Sequence, residues 1–285
     1  MKKIKPADGN KTFCMAPWTH TYLSPQTERR MCCASREPAQ SFKQYIDTGN
    51  SSKTYNPLTL EEHWNSKHMR SVRKRMLQGK KLPECEVCND KLLNTDVYKS
   101  YWNHLFEHLI DKAFTDTKED GTTTMPVISY DYRFNNLCNF KCRMCGSMLS
   151  SSWESEQRKH KDWSISSSPW MEPKLREQIK SFQDTQVVNE FMHGVENQTI
   201  REIYWCGGEP LMWDIHWTAM QRIIDLGFAK EVYVRYNTNL SRTTYKKQNV
   251  FDMLKHFQDW QICASLDGTG KIGEYIRDGL DYDSW

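Results

Sequence analysis

The run RFNNLCNFKCRMCG sets Cys138, Cys142 and Cys145 in one short loop, and no other feature of the chain narrows its fold and chemistry so far. Three thiolates at this spacing can wrap one face of a cubane iron-sulfur cluster. A cubane held by three ligands keeps one iron open. An open coordination position marks a reactive site, by the logic that separates catalytic from structural zinc. The alternative on spacing alone is a three-cysteine zinc knot, which needs a fourth ligand close by.

The other cysteines are grouped as well: Cys14, the pair Cys32 and Cys33, the pair Cys85 and Cys88, then Cys206 and Cys263 alone. After the basic start MKKIK comes PADGNKTFC, where a signal peptide needs an apolar core. No stretch approaches the roughly 20 apolar residues of a membrane span. The expectation is a soluble, cytoplasmic protein whose thiols stay reduced and serve as metal ligands rather than disulfides. Cys206 and Cys263 fall within expected buried strands and read as small apolar fillers. With 39 Lys and Arg against 36 Asp and Glu, the net charge of +3 creates no global field calling for nucleic acid or an anionic membrane. Eleven Trp and thirteen Tyr provide ample surface for an ordered core.

Hydrophobic periodicity divides the chain into 1–95, a helix and linker over 96–125, and 126–285. The first part is irregular, with turn formers in SPQTER and TGNSSKTYNP. One amphipathic helix over Leu60 to Gly79 carries Trp64, His68, Val72 and Met76 on its stripe and Lys67, Arg70, Arg73, Lys74 and Arg75 on a solvated face. A second helix runs from Thr95 to Phe114, and TDTKEDGTTTMP is an exposed linker. Four strands then alternate with helices: VISYDYRF, a helix over Pro173 to Val195, IREIYWC, a helix over Leu211 to Leu226, EVYVRYN, a helix over Thr243 to Trp260, and QICASLD. This rhythm predicts an α/β domain with a parallel sheet, whose ligands sit at the C-terminal strand ends. The polar signatures fall there: the cysteine loop, CGGEP, NTN and SLDG. The glycines let backbone approach a ligand, and the carboxylate can hold a cation.

The pattern Cys-x3-Cys-x2-Cys after a strand and before Gly146 resembles the signature of the radical S-adenosylmethionine (SAM) superfamily, with Met144 where an aromatic residue is usual. The resemblance implies a partial (β/α) barrel, ending here after the fourth strand, and a 4Fe-4S cluster on Cys138, Cys142 and Cys145 whose open iron chelates SAM. An external electron donor would drive its cleavage to a 5′-deoxyadenosyl radical, which takes hydrogen from a peptide or small metabolite. It further implies that Gly207, Gly208, Glu209 and Pro210 receive the SAM amino group, and that Asn237, Asn239, Ser265 and Asp267 serve its ribose and carboxylate. Arg277, in EYIRDG, matches another frequent element.

FCMAPWTHTYLSPQTERRMCC, EEHWNSKHMR and LPECEVC resemble the SPASM or twitch auxiliary-cluster module, here preceding the barrel as a small α+β cysteine-rich domain. That likeness implies a second 4Fe-4S cluster on Cys14, Cys32, Cys85 and Cys88, with Cys33 spare and Thr27 where glycine is usual. Two separated cysteine pairs closing a long loop also describe a zinc ribbon. Two other classes stay open: an iron-sulfur electron carrier without SAM cleavage, and a zinc-stabilised module for protein or nucleic-acid contact. His104, Glu107 and His108 spell H-x-x-E-H, but the helix explains them as partly exposed neighbours of an apolar face.

Overall fold

The structure, a computed structural model, describes residues 1–37, 41–44, 53–92, 94–160 and 169–285. A six-stranded, mostly parallel sheet organises the molecule. Its strands are β1 (His20–Leu23), β2 (Arg29–Arg30), β3 (Ser129–Tyr132), β5 (Glu202–Trp205), β6 (Tyr233–Thr238) and β7 (Asp259–Ala264). A separate antiparallel pair joins β4 (Lys141–Cys142) to β8 (Arg277–Asp278). The main order is β7-β6-β5-β3-β1-β2, parallel throughout except for β1 against β2. Strand β1 lies against β3, His20 opposite Ser129 and Leu23 opposite Tyr132, so the sheet runs across the 96–125 connection.

Two-residue alternation sorts the faces of the sheet. Tyr130, Tyr132, Ile203, Trp205, Val234 and Tyr236 enter the larger core against helices α6 (Val188–Glu196) and α7 (Asp214–Asp225). The opposite face carries charge: Glu202 is fully buried, accepts from Ser129 Oγ and Tyr101 Oη, and is gripped by Arg235. A second core gathers Phe13, Trp18, Met69, Met76, Trp102 and Phe114 around the N-terminal segment.

Several expectations about helices change. The first helix is two, α1 (Leu60–Trp64) and α2 (Lys67–Leu77), because Ser66 caps the second by accepting from Met69 N. Arg73, expected on the solvated face, is fully buried, donates to Pro17 O, Trp64 O and Asn65 Oδ1, and stacks on Trp64 at 4.6 Å. The second helix is α3 (Val97–Leu105), followed by a tight helical turn over Glu107–Leu109 and a separate short helix over Ile110–Asp116. A helix absent from the expectations, α4 (Ser151–Lys159), follows the cysteine loop. The Pro173 to Val195 helix forms as α5 (Pro173–Phe182) joined to α6 through a wide turn over Gln183–Val187.

The segment expected as a helix from Thr243 to Trp260 is mostly not helical. Thr244–Tyr245 pairs with Gln248–Asn249 around Lys246, whose φ is 53°. Only α8 (Val250–Leu254) is helical, capped by Asn249, and a further helix, α9 (Gly270–Ile276), precedes β8. Expected turn residues 48–52 lie outside the described residues, and Lys53–Tyr55 instead pairs with Phe42–Gln44. Cys263, expected inside, is exposed because β7 is an edge strand, and Cys206 is half-buried just beyond the end of β5. Among the described residues no helix is long and apolar enough to cross a membrane.

Candidate iron-sulfur sites

The loop after β3 gathers Cys138, Cys142 and Cys145 around Phe140 and Leu280. Neighbours hold it largely through its backbone. At the start of α4, Ser151 Oγ accepts from Cys138 N at 3.1 Å and Ser152 Oγ donates to Cys138 O at 2.9 Å. Ser150 Oγ donates to Phe140 O at 2.6 Å, and Trp153 Nε1 donates to Cys142 O at 2.9 Å. Arg277, whose role the sequence left open, places Nη1 3.4 Å from Cys142 Sγ while Nη2 holds Asp267 Oδ2 at 2.6 Å. Cys145 is lowered to about 7, chiefly by the hydrogen bond from the Cys142 thiol, which is raised in turn. Burial pushes Cys138 up to about 11.

The glycine turn is joined to this loop. Glu209 N donates to Leu137 O at 2.7 Å, and a Cβ on Gly208 would stand 2.5 Å from that same oxygen, so only glycine admits the loop there. Gly207 adopts φ 142°, and a Cβ on it would meet Trp213 at 2.9 Å. Glu209 is buried and accepts from Leu211 N, Thr238 Oγ1 at 2.6 Å and Asn239 N at 2.7 Å. Burial raises its pKa. A carboxylate offers about four acceptor sites, so about one stays free for a ligand.

Glu209 thereby clamps the ends of β5 and β6 together, and Asn239 places Nδ2 4.0 Å from Cys138 Sγ. Pro210 opens the short helical turn that follows. Ser265 N bonds Thr238 O, which brings the end of β7 alongside. The side chains of Asn237 and Ser265 make no hydrogen bond among the described residues.

Cys14, Cys32, Cys85 and Cys88 line a single cavity with Met31, Tyr98 and Trp102. Burial drives Cys14 up to about 12 and raises Cys32 and Cys85 strongly. Cys33 is absent from that lining; the charges of Asp131 and Arg133 and the Cys206 thiol act on it instead. Thr27 takes φ 63°, a left-handed conformation that accounts for glycine at the matching place in the module it resembles. Its hydroxyl reaches Tyr55 Oη at 2.9 Å. A sequence model of the SPASM iron-sulfur cluster-binding domain matches residues 14–89, from the first of these four cysteines to just past the last.

Residues 14–89 are thus similar to the SPASM iron-sulfur cluster-binding domain.

The SPASM match stops before β3 and does not include Cys138, Cys142 or Cys145. No curated protein and no solved structure matches the chain. Among the described residues no His, Cys, Asp or Glu trio converges as a single-ion cage. Helix α3 ends at Leu105, so His104, Glu107 and His108 do not share one helix face; both histidines line a separate cavity with Arg201 and Asp259.

The sequence reading missed the contacts from Ser150, Ser151, Ser152 and Trp153. The run SSSW soon after CG is the signal that could have found them, because serine favours helix starts.

Proposed function

We propose that this chain is a radical SAM enzyme with a 4Fe-4S cluster on Cys138, Cys142 and Cys145 and an auxiliary 4Fe-4S cluster on Cys14, Cys32, Cys85 and Cys88. The donor sets fit: three thiols in one loop leave a corner open, and four thiols on one cavity close the other. The observation carrying the reading is the junction of the cysteine loop with Gly207, Gly208 and Glu209, through Glu209 N and Leu137 O, at the C-terminal ends of parallel strands. In this reading 126–285 is a partial (β/α) barrel and 1–95 the auxiliary module, linked through 96–125.

The bound group supplies reductive opening of a sulfonium to a carbon radical able to take a substrate hydrogen. The chain's own work is positional. Glu209 fixes the turn and offers its remaining acceptor site to the SAM ammonium. Arg277 puts positive charge beside Cys142, and Asn239 directs an amide at Cys138. An external reductant provides the electron, and the protein works in the cytoplasm.

Anaerobic reconstitution followed by SAM and dithionite tests the reading. Formation of 5′-deoxyadenosine with about eight irons per chain is expected. Eight irons without deoxyadenosine would make it an electron carrier, and zinc in place of iron a structural module.

A further inference from the structure

Two arginines on the charged face of the sheet differ in how fully they are used. Arg235 donates to Glu202 Oε1 from Nε at 2.8 Å and from Nη2 at 2.7 Å, and lies between the rings of Tyr101 and Tyr204, each at 4.3 Å. Its guanidinium is committed to the fold. Arg133 has one polar contact, Nε to Asp131 Oδ1 at 3.4 Å, at the long limit for a hydrogen bond. Neither Nη1 nor Nη2 has a partner among the described residues, although the side chain is only 20% exposed.

The position of Arg133 is well defined. Its guanidinium lies over Tyr22 at 5.0 Å. A Cβ on Gly207 would stand 3.2 Å from Arg133 Cβ, so the arginine sits directly beside the glycine turn. Its charge also acts on Cys206, which directly precedes that turn, and on Cys33, adjacent in sequence to Cys32 of the four-cysteine cavity. A guanidinium with an unused fork, held between the two cysteine sites, is prepared for a planar anion.

We propose that Arg133 is the receptor for a carboxylate bound between the two cysteine sites, with Asp131 as its positioning residue. This rests on the radical SAM reading and gives its substrate space a chemical class. Charge selects the ligand. Asp131 is 1% exposed and offsets much of the arginine's charge, while Glu202 occupies Arg235, so a dianionic phosphate would lack the second cation it needs. A carboxylate carries one charge and matches the fork in two parallel hydrogen bonds. It can come from a substrate, such as an acidic side chain or peptide C-terminus, or from SAM.

The test uses the full chain and two probes, the monoanion N-acetylglycine and its neutral amide N-acetylglycinamide, followed by saturation-transfer NMR. Phenylglyoxal modification of Arg133, mapped by peptide mass spectrometry, gives an independent reading. The acid is expected to bind and to protect Arg133 while the amide does neither. Arg133→Gln should weaken acid binding by about tenfold or more, and Arg133→Lys by less, since it keeps the charge but not the fork.

Equal behaviour of acid and amide, or unchanged acid binding in a folded Arg133→Gln protein, overturns the proposal. Once the acid binds, competition separates the sources: SAM that displaces N-acetylglycine and itself protects Arg133 assigns the carboxylate to SAM, and acid binding that SAM leaves unchanged assigns it to a substrate. Binding is read without turnover, so a chain that binds the acid but makes no deoxyadenosine would sink the radical SAM reading and leave the receptor standing.

Discussion

Cys14, Cys32, Cys85 and Cys88 come from distant points of the chain and line one cavity with Met31 and Trp102, whereas Cys138, Cys142 and Cys145 sit in one loop. Tertiary packing builds the first site. The second is local, and what the fold adds is backbone restraint from the serines of α4 and from β8. Surroundings differ too: Cys14, Cys32 and Cys85 pack against the second core, while Met144 and Met148, next to the loop cysteines, are exposed. A site that only holds and shields can be assembled from scattered thiols. The loop site, proposed to admit SAM, keeps its cysteines on a short loop and is steadied from behind.

This contrast can be broken by experiment. The largest effect belongs to Cys142→Ala, which should reduce deoxyadenosine formation to background while about four irons remain on the closed site; loss of all iron would show that the sites depend on each other. Next, Gly208→Ala puts a methyl 2.5 Å from Leu137 O and should slow deoxyadenosine formation on the order of 10²-fold by displacing the loop, with iron content unchanged. Cys85→Ala should lower iron from about eight to about four per chain and leave deoxyadenosine formation in place, as read by iron analysis and chromatography.

The smallest effect is expected from Thr27→Gly. Relief of the left-handed backbone gains about 1 kcal/mol, and losing the hydroxyl contact with Tyr55 costs about as much. A thermal melt should move by a few degrees at most.

Much of this was legible in the amino-acid sequence because it is local. The strands and the polar turns at their ends are set by a few neighbouring residues, and Cys14, Cys32, Cys85 and Cys88 line one cavity. What the sequence hid depends on distant partners. Arg73 looks like a surface cation until Pro17 O, Trp64 O and Asn65 supply its acceptors. Cys263 looks like a core thiol until β7 proves to be an edge. The 243–260 segment has helical periodicity but turns at Lys246, and Arg277 became interpretable only when β8 paired with β4. The greater surprise is β1. Nothing in HTYL announces that it will lie beside SYDY.

That pairing bears on how the protein is made. His20 and Ser129, bonded at 2.6 Å, are 109 positions apart in the chain. A ribosome adding about 5 to 20 residues each second will have released the first cysteines several seconds before the strand that braces them exists. The SPASM-like stretch thus has one of its strands, β1, completed only by residues that follow it in the chain. Iron delivered during translation would meet an unbraced segment, so under the proposed two-cluster reading loading at both sites awaits the same closing of the sheet.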